Sequence, residues 1–359
     1  MKILHIETGR HLYGGALQVF YLIRGLHAAG IENILVCAPG SEIGRKCATI
    51  ATVVELPTLG DIDPRLFLGL CRTIRHHRPD IVHAHSRRGA DWWGGLAAQL
   101  CKVKSVLTRR VDNPESRLLV RLKYQRFSRV VTISEGIRQV LLSEGVPQGQ
   151  LELIHSVVDL EQYSCPADRP WFEETFALRP GEKTVAIIAQ LIERKGHRFL
   201  LAGAEQIFAA VPNLRFIFFG QGPQREELEA YCRANGLGEK VIFAGFRDDL
   251  ARILPNLDLI VHPALMEGLG VSLLQAAAAG RPMIGARAGG IPEVIRDGVN
   301  GYLVPPGEVK SLAEKTIELL LNREQAETLG ANGRLLVEKE FSIPAMISSY
   351  QRLYAQLLR

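Results

Sequence analysis

A carboxylate and an amide follow an apolar run in the second half of the chain, at a spacing suited to binding a sugar or a ribose. The run at 257–261 predicts a buried strand, and Glu267 and the glycine-rich turn at Gly270 come next. A predicted helix then places Gln275 one turn past Val271, on the same face. Helix N-termini attract phosphate. These residues alone favour a phosphate and hydroxyl site and a plain strand-to-helix turn about equally.

A second junction of this kind follows the first predicted strand. Residues 8–16 contain Gly14 and Gly15 and lead into an apolar helical pattern. Glycines at such a junction let backbone N–H groups approach a phosphate closely. The alternative is a tight turn that merely needs glycine. The phosphate interpretation is weakened because the spacing of the glycines is not that of a dinucleotide fingerprint.

Two adjacent cations follow another predicted strand, 184–189. The strand leads through Gln190 to Arg194 and Lys195. Adjacent cations at a strand end can clamp a diphosphate. Taken alone, such a pair is more often part of a solvated loop.

The segment that follows the strand 215–219 contains Gly220, Gly222 and, in the sixth position of a Gly-x-Gly-x-x-Gly pattern, Arg225. The arginine argues against a nicotinamide dinucleotide site. A tight strand-to-helix turn explains the two glycines.

Metal-ligating residues occur in two places, neither of which is convincing. Asp61 and Asp63 form an Asp-x-Asp, but Asp63 before Pro64 is typical of a helix N-cap. His83 and His85 share one face at a strand end and would bind metal, carry protons or pack in the core. We therefore expect no metal ion.

The elements that position these residues alternate between apolar strands and helical patterns. Alternation predicts parallel sheets covered by helices, and two tandem series predict two doubly wound Rossmann-like domains facing an interdomain cleft. The expected domains are 1–165, 166–340 and a terminal helix, 341–359. Residues 162–180 contain three prolines and are expected to form a linker. The predicted strands are 2–6, 34–38, 52–56, 81–84, 105–108, 129–133, 151–154, 184–189, 215–219, 241–244, 257–262, 283–286 and 301–304.

The composition is that of a globular protein. The chain has 359 residues, of which 47% are hydrophobic and 23% charged. No apolar run approaches the roughly 18–20 residues that span a bilayer. Six scattered cysteines indicate reduced thiols in a cytosolic protein.

Positive charge is concentrated in one segment of the first domain. Residues 85–130 contain eleven Lys and Arg residues, among them Arg87 and Arg88, against three Asp and Glu residues, whereas the whole chain carries +5. This excess slightly favours an anionic partner over a merely solvated helix face. Nucleic acid is not expected, since the aromatics are not interleaved with the arginines as they are in stacking platforms.

In this order the motifs resemble those of the retaining, nucleotide-sugar-dependent glycosyltransferases of family 4, which have the GT-B fold. The resemblance covers nearly the whole chain. It is strongest in the second half, at Lys195-Gly196, 219–223, 241–246, 262–275 and 289–295. The final helical segment, 344–358, is similar to the family's terminal helix, which crosses back onto the first domain.

The resemblance implies a role for each matching residue. Arg194 and Lys195 would neutralise the donor diphosphate, Glu267 would contact the transferred sugar, and Gln275 would reach the ribose. The remaining donor-binding residues implied are Gly14, Gly15, Gln190, Gly220, Gly222, Phe246, Gly270 and Val271. Such enzymes need neither a metal nor another cofactor, because cations and helix dipoles stabilise the leaving diphosphate.

Three positions depart from the family pattern. The family has a second Glu at Gln275 and usually an Arg near Gln190. Many members also have a histidine where this chain has Thr108-Arg109-Arg110. Arg110 cannot act as a base, but it can hold an anionic acceptor. His85 is the candidate to take over the missing histidine's role.

The expected function is transfer of a sugar, with retention, to a glycan or glycolipid acceptor in cell-surface or lipopolysaccharide synthesis. A degenerate nucleotide-sugar-binding protein and a GT-B epimerase are the alternatives, and a nicotinamide oxidoreductase comes last. An anionic membrane surface is a candidate partner. The expected location is the cytoplasm, with the cytoplasmic face of the inner membrane as the peripheral alternative.

Overall fold

The chain divides into two units. The computed structural model describes residues 1–12, 14–57, 63–85 and 89–359, and only the backbone of Leu118. Unit 1 comprises Met1–Ser156 with Ile343–Arg359, and unit 2 comprises Val157–Ser342. The expected boundaries were 165/166 and 340/341. Asp61, Arg87 and Arg88 lie outside the described residues.

The apolar runs of unit 1 form a parallel sheet. Across the part described, its strand order is β3-β2-β1-β4-β5-β6-β7. The order reverses next to β1, as in doubly wound folds. The strands are β1 Lys2–Glu7, β2 Glu32–Cys37, β3 Thr52–Glu55, β4 Ile81–Ala84, β5 Lys104–Arg109, β6 Arg129–Thr132 and β7 Leu151–Leu153.

Unit 2 repeats this topology with a second parallel sheet, ordered β10-β9-β8-β11-β12-β13 in the described residues. Its strands are buried because helices cover both faces, which explains their nearly continuous apolar sequences. They are β8 Lys183–Ile188, β9 Leu214–Phe219, β10 Val241–Gly245, β11 Leu259–His262, β12 Met283–Ala286 and β13 Tyr302–Val304. The expected pair of doubly wound Rossmann-like folds is confirmed.

Helices connect the strands in both units. The terminal helix belongs to unit 1, where Ile347 packs so closely on Gly25 that a Cβ there would lie 2.4 Å from it. None of the helices in the described part of the chain is long and apolar enough to cross a membrane. They are α1 Gly14–Ala28, α2 Glu42–Cys47, α3 Pro64–His77, α4 Ala90–Leu100, α5 Arg117–Tyr124, α6 Glu135–Ser143, α7 Arg169–Thr175, α8 His197–Ala202, α9 Ala204–Ala210, α10 Arg225–Ala234, α11 Leu250–Ile253, α12 Val271–Ala278, α13 Ile291–Val294, α14 Val309–Leu321, α15 Arg323–Glu340 and α16 Ile343–Leu358.

The prediction of a linker over 162–180 is wrong. Residues 169–175 form α7 within unit 2, and Phe172 is fully buried. The Asp168 side chain accepts a hydrogen bond from the Trp171 N–H, and Pro170 stands in the first turn. Capping residues and a first-turn proline start a helix, so this proline marks a helix and not a break.

Candidate active site

The centre of the candidate site in unit 2 is the Glu267 carboxylate. β11 ends at His262, whose Nε2 lies 2.6 Å from Glu267 Oε2. The Lys195 Nζ donates to the same oxygen at 2.6 Å, and the Gly268 N–H donates to Oε1 at 3.0 Å. A carboxylate only accepts hydrogen bonds, so His262 Nε2 carries a proton. Glu267 is thus held by three donors.

These contacts keep the carboxylate ionised. Burial by itself raises the pKa of Glu267, but the hydrogen bond from His262 and the charges of His262 and Lys195 outweigh it. The net effect holds the pKa of Glu267 well below its ordinary value. An ionised carboxylate in a largely buried setting is a strong fixed charge that can act on a bound sugar.

Two glycines fix the loop that carries Glu267. Gly289 has φ +51°, and a Cβ there would lie 2.0 Å from the Glu267 carbonyl oxygen. Gly196 has φ +72°, and its Cβ would lie 2.1 Å from the Pro263 carbonyl oxygen. Only glycine permits both the left-handed backbone and such close approach. These glycines therefore hold the Lys195 and Glu267 loops together.

The predicted helix start lies directly after Glu267. Gly270 (φ +93°) is the N-cap of α12, which begins at Val271. Val271 and Gln275 are both half-buried and lie one turn apart, as predicted. The Arg194 carbonyl accepts the Leu265 N–H at 2.8 Å, which places the Arg194–Lys195 loop beside this segment.

The other predicted donor-binding residues of unit 2 lie in neighbouring loops. A Cβ at Gly220 would come within 2.0 Å of the Ala189 carbonyl, and one at Gly222 within 2.3 Å of the Leu191 carbonyl. Both glycines are therefore required by packing against the loop that contains Gln190, as the tight-turn alternative predicts. The Gly220 N–H donates to the Gly245 carbonyl at 2.8 Å, next to Phe246, which is 48% exposed.

Three of the residues predicted in unit 1 line one cavity of about 420 Å³, and the fourth, Gly14, is the first residue of α1. Gly15, at the start of α1, Arg110, after β5, and His85, after β4, lie in its wall with the buried Glu7 at the end of β1. The Arg110 side chain lies over Gly15, since a Cβ there would be 3.2 Å from Arg110 Cδ. The cavity thus offers a cation, a carboxylate and an imidazole.

Three buried histidines meet beneath this cavity. His5 joins the predicted pair His83 and His85, and one ring nitrogen of each lies within 4.8 Å of the others. His5 Nδ1 is 3.0 Å from His85 Nε2, while His83 contacts the hydroxyls of Thr108 and Tyr354 at 2.7 and 2.6 Å. Burial lowers the pKa of all three below the ordinary value.

The positive segment is partly neutralised inside unit 1. Arg109 and Lys123 are buried; Arg109 pairs with Glu115 at 2.9 Å, and Lys123 contacts Glu115 at 2.6 Å and Asp91 at 3.3 Å. Exposed cations remain at Lys102, Lys104, Arg117 and Arg121. The other aspartate of interest, Asp63, caps α3 by accepting the Arg65 N–H at 3.0 Å, which confirms its structural interpretation.

Two family models match the two units. "Glycosyl transferases group 1" matches residues 169–336, which include the Glu267 site, and "Glycosyltransferase Family 4" matches residues 13–162. The D-inositol 3-phosphate glycosyltransferase of Mycobacterium sp. (strain KMS) is 30% identical over 359 aligned residues, covering 91% of this chain and 78% of the relative. The chain belongs to glycosyltransferase family 4.

Two further comparisons agree with this assignment. The lipopolysaccharide core biosynthesis glycosyltransferase LpsE of Rhizobium meliloti (strain 1021) is 25% identical, and the alignment covers 99% of both chains. The structure of Anabaena HepE in complex with UDP-glucose superposes with a TM-score of 0.87 at 21% identity, covering 99% of this chain and 100% of HepE. The chain is thus a glycosyltransferase with the GT-B fold.

Three buried polar residues at these candidate sites escaped prediction: His262, Glu7 and His5. The sequence interpretation places His262 only at the end of the predicted strand 257–262, although a histidine at a strand end five residues before Glu267 is a usable signal. His5 and Glu7 alternate in β1 and are both buried. A polar residue repeating at period two in an otherwise apolar strand could have identified them.

Proposed function

We propose that this glycosyltransferase moves a sugar from a nucleotide diphosphate sugar to an acceptor hydroxyl with retention of anomeric configuration and without a metal ion. The observation that carries the proposal is the ionised Glu267 carboxylate, fixed by Lys195 and His262 beside the start of α12. Such a fixed anion stabilises positive charge that develops at the sugar, while neighbouring donors stabilise the leaving diphosphate.

The donor is assigned to unit 2. Glu267 contacts the transferred sugar, and Lys195, which forms an ion pair with Glu267, also shares its charge with the diphosphate, aided by Arg194. Gln275 supplies an oxygen and an amide for the ribose in place of the family's glutamate. The rest of the donor pocket comprises Gln190, Gly220, Gly222, Phe246 and the N–H groups of Gly270 and Val271. HepE, similar in fold, was crystallised with UDP-glucose.

The acceptor is assigned to the cavity of unit 1. Arg110 supplies a cation there, and its Nε is buried without a hydrogen-bond partner in the described residues. A buried donor of this kind needs an acceptor such as a phosphate or carboxylate oxygen. The relatives' names include D-inositol 3-phosphate and lipopolysaccharide core synthesis. We therefore propose an anionic glycan or glycolipid acceptor used in cell-surface synthesis.

An acceptor embedded in lipid requires contact with a membrane surface. The outer side of α5 exposes Leu119 by 50% and Leu122 by 46%, with exposed Arg117 and Arg121 beside them. Basic residues beside exposed leucines suit an anionic bilayer surface. This helix supports a peripheral location at the cytoplasmic face of the inner membrane.

Transfer with a panel of nucleotide sugars tests the proposal. Purified protein is incubated with each donor and a cell-envelope extract, with and without EDTA, and the anomeric configuration of the product is read by NMR. Retained configuration and activity in EDTA are expected. An inverted product, or loss of transfer in EDTA, contradicts the proposal. Donor binding without transfer would indicate a nucleotide-sugar-binding protein. Release of free nucleotide in the absence of an acceptor would indicate an epimerase.

A further inference from the structure

Hydrogen bonds beneath the unit 1 cavity fix the proton position on each ring between Asn33 and His85. The Asn33 Nδ2 donates to the Ile31 carbonyl at 2.9 Å, so Asn33 Oδ1 is the acceptor for His5 Nε2, 3.1 Å away. His5 Nε2 therefore carries a proton. Burial lowers the pKa of His5 to about 4, so the ring is neutral at physiological pH and its Nδ1 has a free lone pair.

The hydrogen bond between His5 and His85 also fixes the proton position on His85. His5 Nδ1 accepts from His85 Nε2 at 3.0 Å, so His85 carries its proton on Nε2. Burial, His83, His5 and Arg110 lower the pKa of His85 well below its ordinary value, which keeps this ring neutral too. His85 Nδ1 is therefore a bare lone pair, and it is buried without a partner in the described residues.

A metal ion fits this cluster poorly. Both nitrogens of His83 contact hydroxyl oxygens, and those of His5 are occupied by Asn33 and His85. A metal would need about three ligand nitrogens at once, whereas among the six ring nitrogens of His5, His83 and His85 only His85 Nδ1 lacks a partner within the part of the chain described. The arrangement is a hydrogen-bonded relay that leaves one acceptor, His85 Nδ1, without a partner in the described residues.

His85 also lines the cavity of about 420 Å³ with Arg110 and Glu7. We propose that the Asn33–His5–His85 relay presents the His85 Nδ1 lone pair as an acceptor for a hydroxyl of a polyol bound in this cavity, with its anionic group on Arg110. The inference rests on the proposed function and names the acceptor class, a polyhydroxylated anion. An anion that has no proton to donate pairs with Arg110 but leaves His85 Nδ1 without a hydrogen bond. Because an unpaired buried acceptor weakens binding, the cavity discriminates against such an anion.

The first test concerns the protein alone. Two-bond ¹H–¹⁵N correlations of the histidine rings report which nitrogen carries the proton, and loss of one ring's signals in His85→Asn assigns His85. A protonated Nε2 and bare Nδ1 are expected at neutral pH. A proton on Nδ1 overturns the proposal. Neither outcome depends on donor binding or sugar transfer, so this failure is distinct from failure of the proposed function.

The second test uses D-inositol 3-phosphate and inorganic sulfate as probes. The phosphorylated polyol should shift the His85 Nδ1 resonance, whereas sulfate, which has no proton to donate, should shift only the Arg110 signals. No movement of Nδ1 at any concentration up to the solubility limit overturns the proposal, since the nitrogen would then serve only an internal water.

Matched variants separate recognition from structural support. In His85→Asn, Oδ1 keeps an acceptor near the place of Nδ1, whereas His85→Gln puts its amide near Nε2 and leaves no acceptor there. His85→Gln should weaken inositol phosphate about tenfold or more and leave sulfate unchanged, and His85→Asn should weaken it less. Tyr354→Phe removes a partner of His83 outside the relay and should change neither probe. Equal weakening of both probes by His85→Gln would assign a merely structural role.

Discussion

At the scale of single residues, the proposed chemistry depends on the charge of Glu267. Glu267→Gln keeps the shape but removes the anion that Lys195 and His262 hold. We expect transfer turnover to fall by at least about 100-fold, because a fixed charge of this kind typically supplies several kcal/mol. Steady-state transfer rates measure it, with circular dichroism to show that the fold persists. Near-wild-type turnover would refute the role.

Gln275, in the helix that follows the Glu267 loop, provides the matched control. It is half-buried one turn after Val271, and the resemblance to family 4 implies a glutamate at this position. Gln275→Glu retains an oxygen acceptor for ribose hydroxyls, so we expect the Michaelis constant for the donor to change by only a few-fold and turnover to persist. A loss as large as that of Glu267→Gln would mean that Gln275 contacts something other than the ribose.

Sequence reasoning reached individual residues better than it reached their partners. The motif containing Glu267 identified the helix start, yet its ion pair with Lys195 joins residues 72 positions apart. That contact depends on Gly196 and Gly289 fitting against two backbone carbonyls, which is a property of the folded loops. His262 and His5 were missed because a histidine inside an apolar run looks like part of the core.

At the scale of elements, the strands were predictable because each is a short apolar run buried on both faces. β4 and β12 were predicted to the residue, as 81–84 and 283–286. α7 was not, since its seven residues include a proline and are too few to show a helical period. Its fully buried Phe172 marks it as part of unit 2.

The loop contact at Gly289 gives a prediction at this scale. Gly289→Ala would place a methyl group 2.0 Å from the Glu267 carbonyl, whereas Gly298→Ala, at φ +72°, meets nothing within 4 Å. Both should lose about 1–2 kcal/mol of unfolding free energy from backbone strain. Gly289→Ala should also move Glu267 and lower turnover at least tenfold. Urea unfolding and transfer rates together check this, and equal turnover in the two variants would contradict it.

The histidines of β1 and β4 make the stability of unit 1 depend on pH. The unfolded chain protonates these rings near pH 6.5, but folded His5 does so only at about 4. Between those values the unfolded state binds more protons, so the free energy of unfolding falls as pH falls, by up to about 1.4 kcal/mol per pH unit for each ring. Unfolding of wild type and His5→Asn across this window should give a shallower slope for the variant. Identical slopes would show that His5 titrates normally.

At the scale of the whole molecule, only part of the positive charge of residues 85–130 lies on the surface. Arg109 and Lys123 are buried and form ion pairs inside unit 1, whereas Arg117 and Arg121 are exposed on the surface of α5. Sequence counting could not separate these groups, because burial is decided by how α4 and α5 pack on the sheet. The surface cations are the ones available to a partner.

We therefore predict that α5 carries membrane binding. Arg121→Glu combined with Leu122→Ser should abolish sedimentation with anionic vesicles at low salt, because it removes both charge attraction and apolar insertion. The control variant combines Leu321→Ser with Arg323→Glu, which makes the same two changes at an exposed leucine and an exposed arginine of unit 2. Leu321 is 63% exposed, and this variant should leave vesicle binding intact. Raised ionic strength should weaken wild-type binding, since screening shortens the reach of the arginines. Vesicle binding that survives the α5 variant would show that the membrane contact lies elsewhere. Vesicle binding that does not change with ionic strength would contradict the role of the arginines.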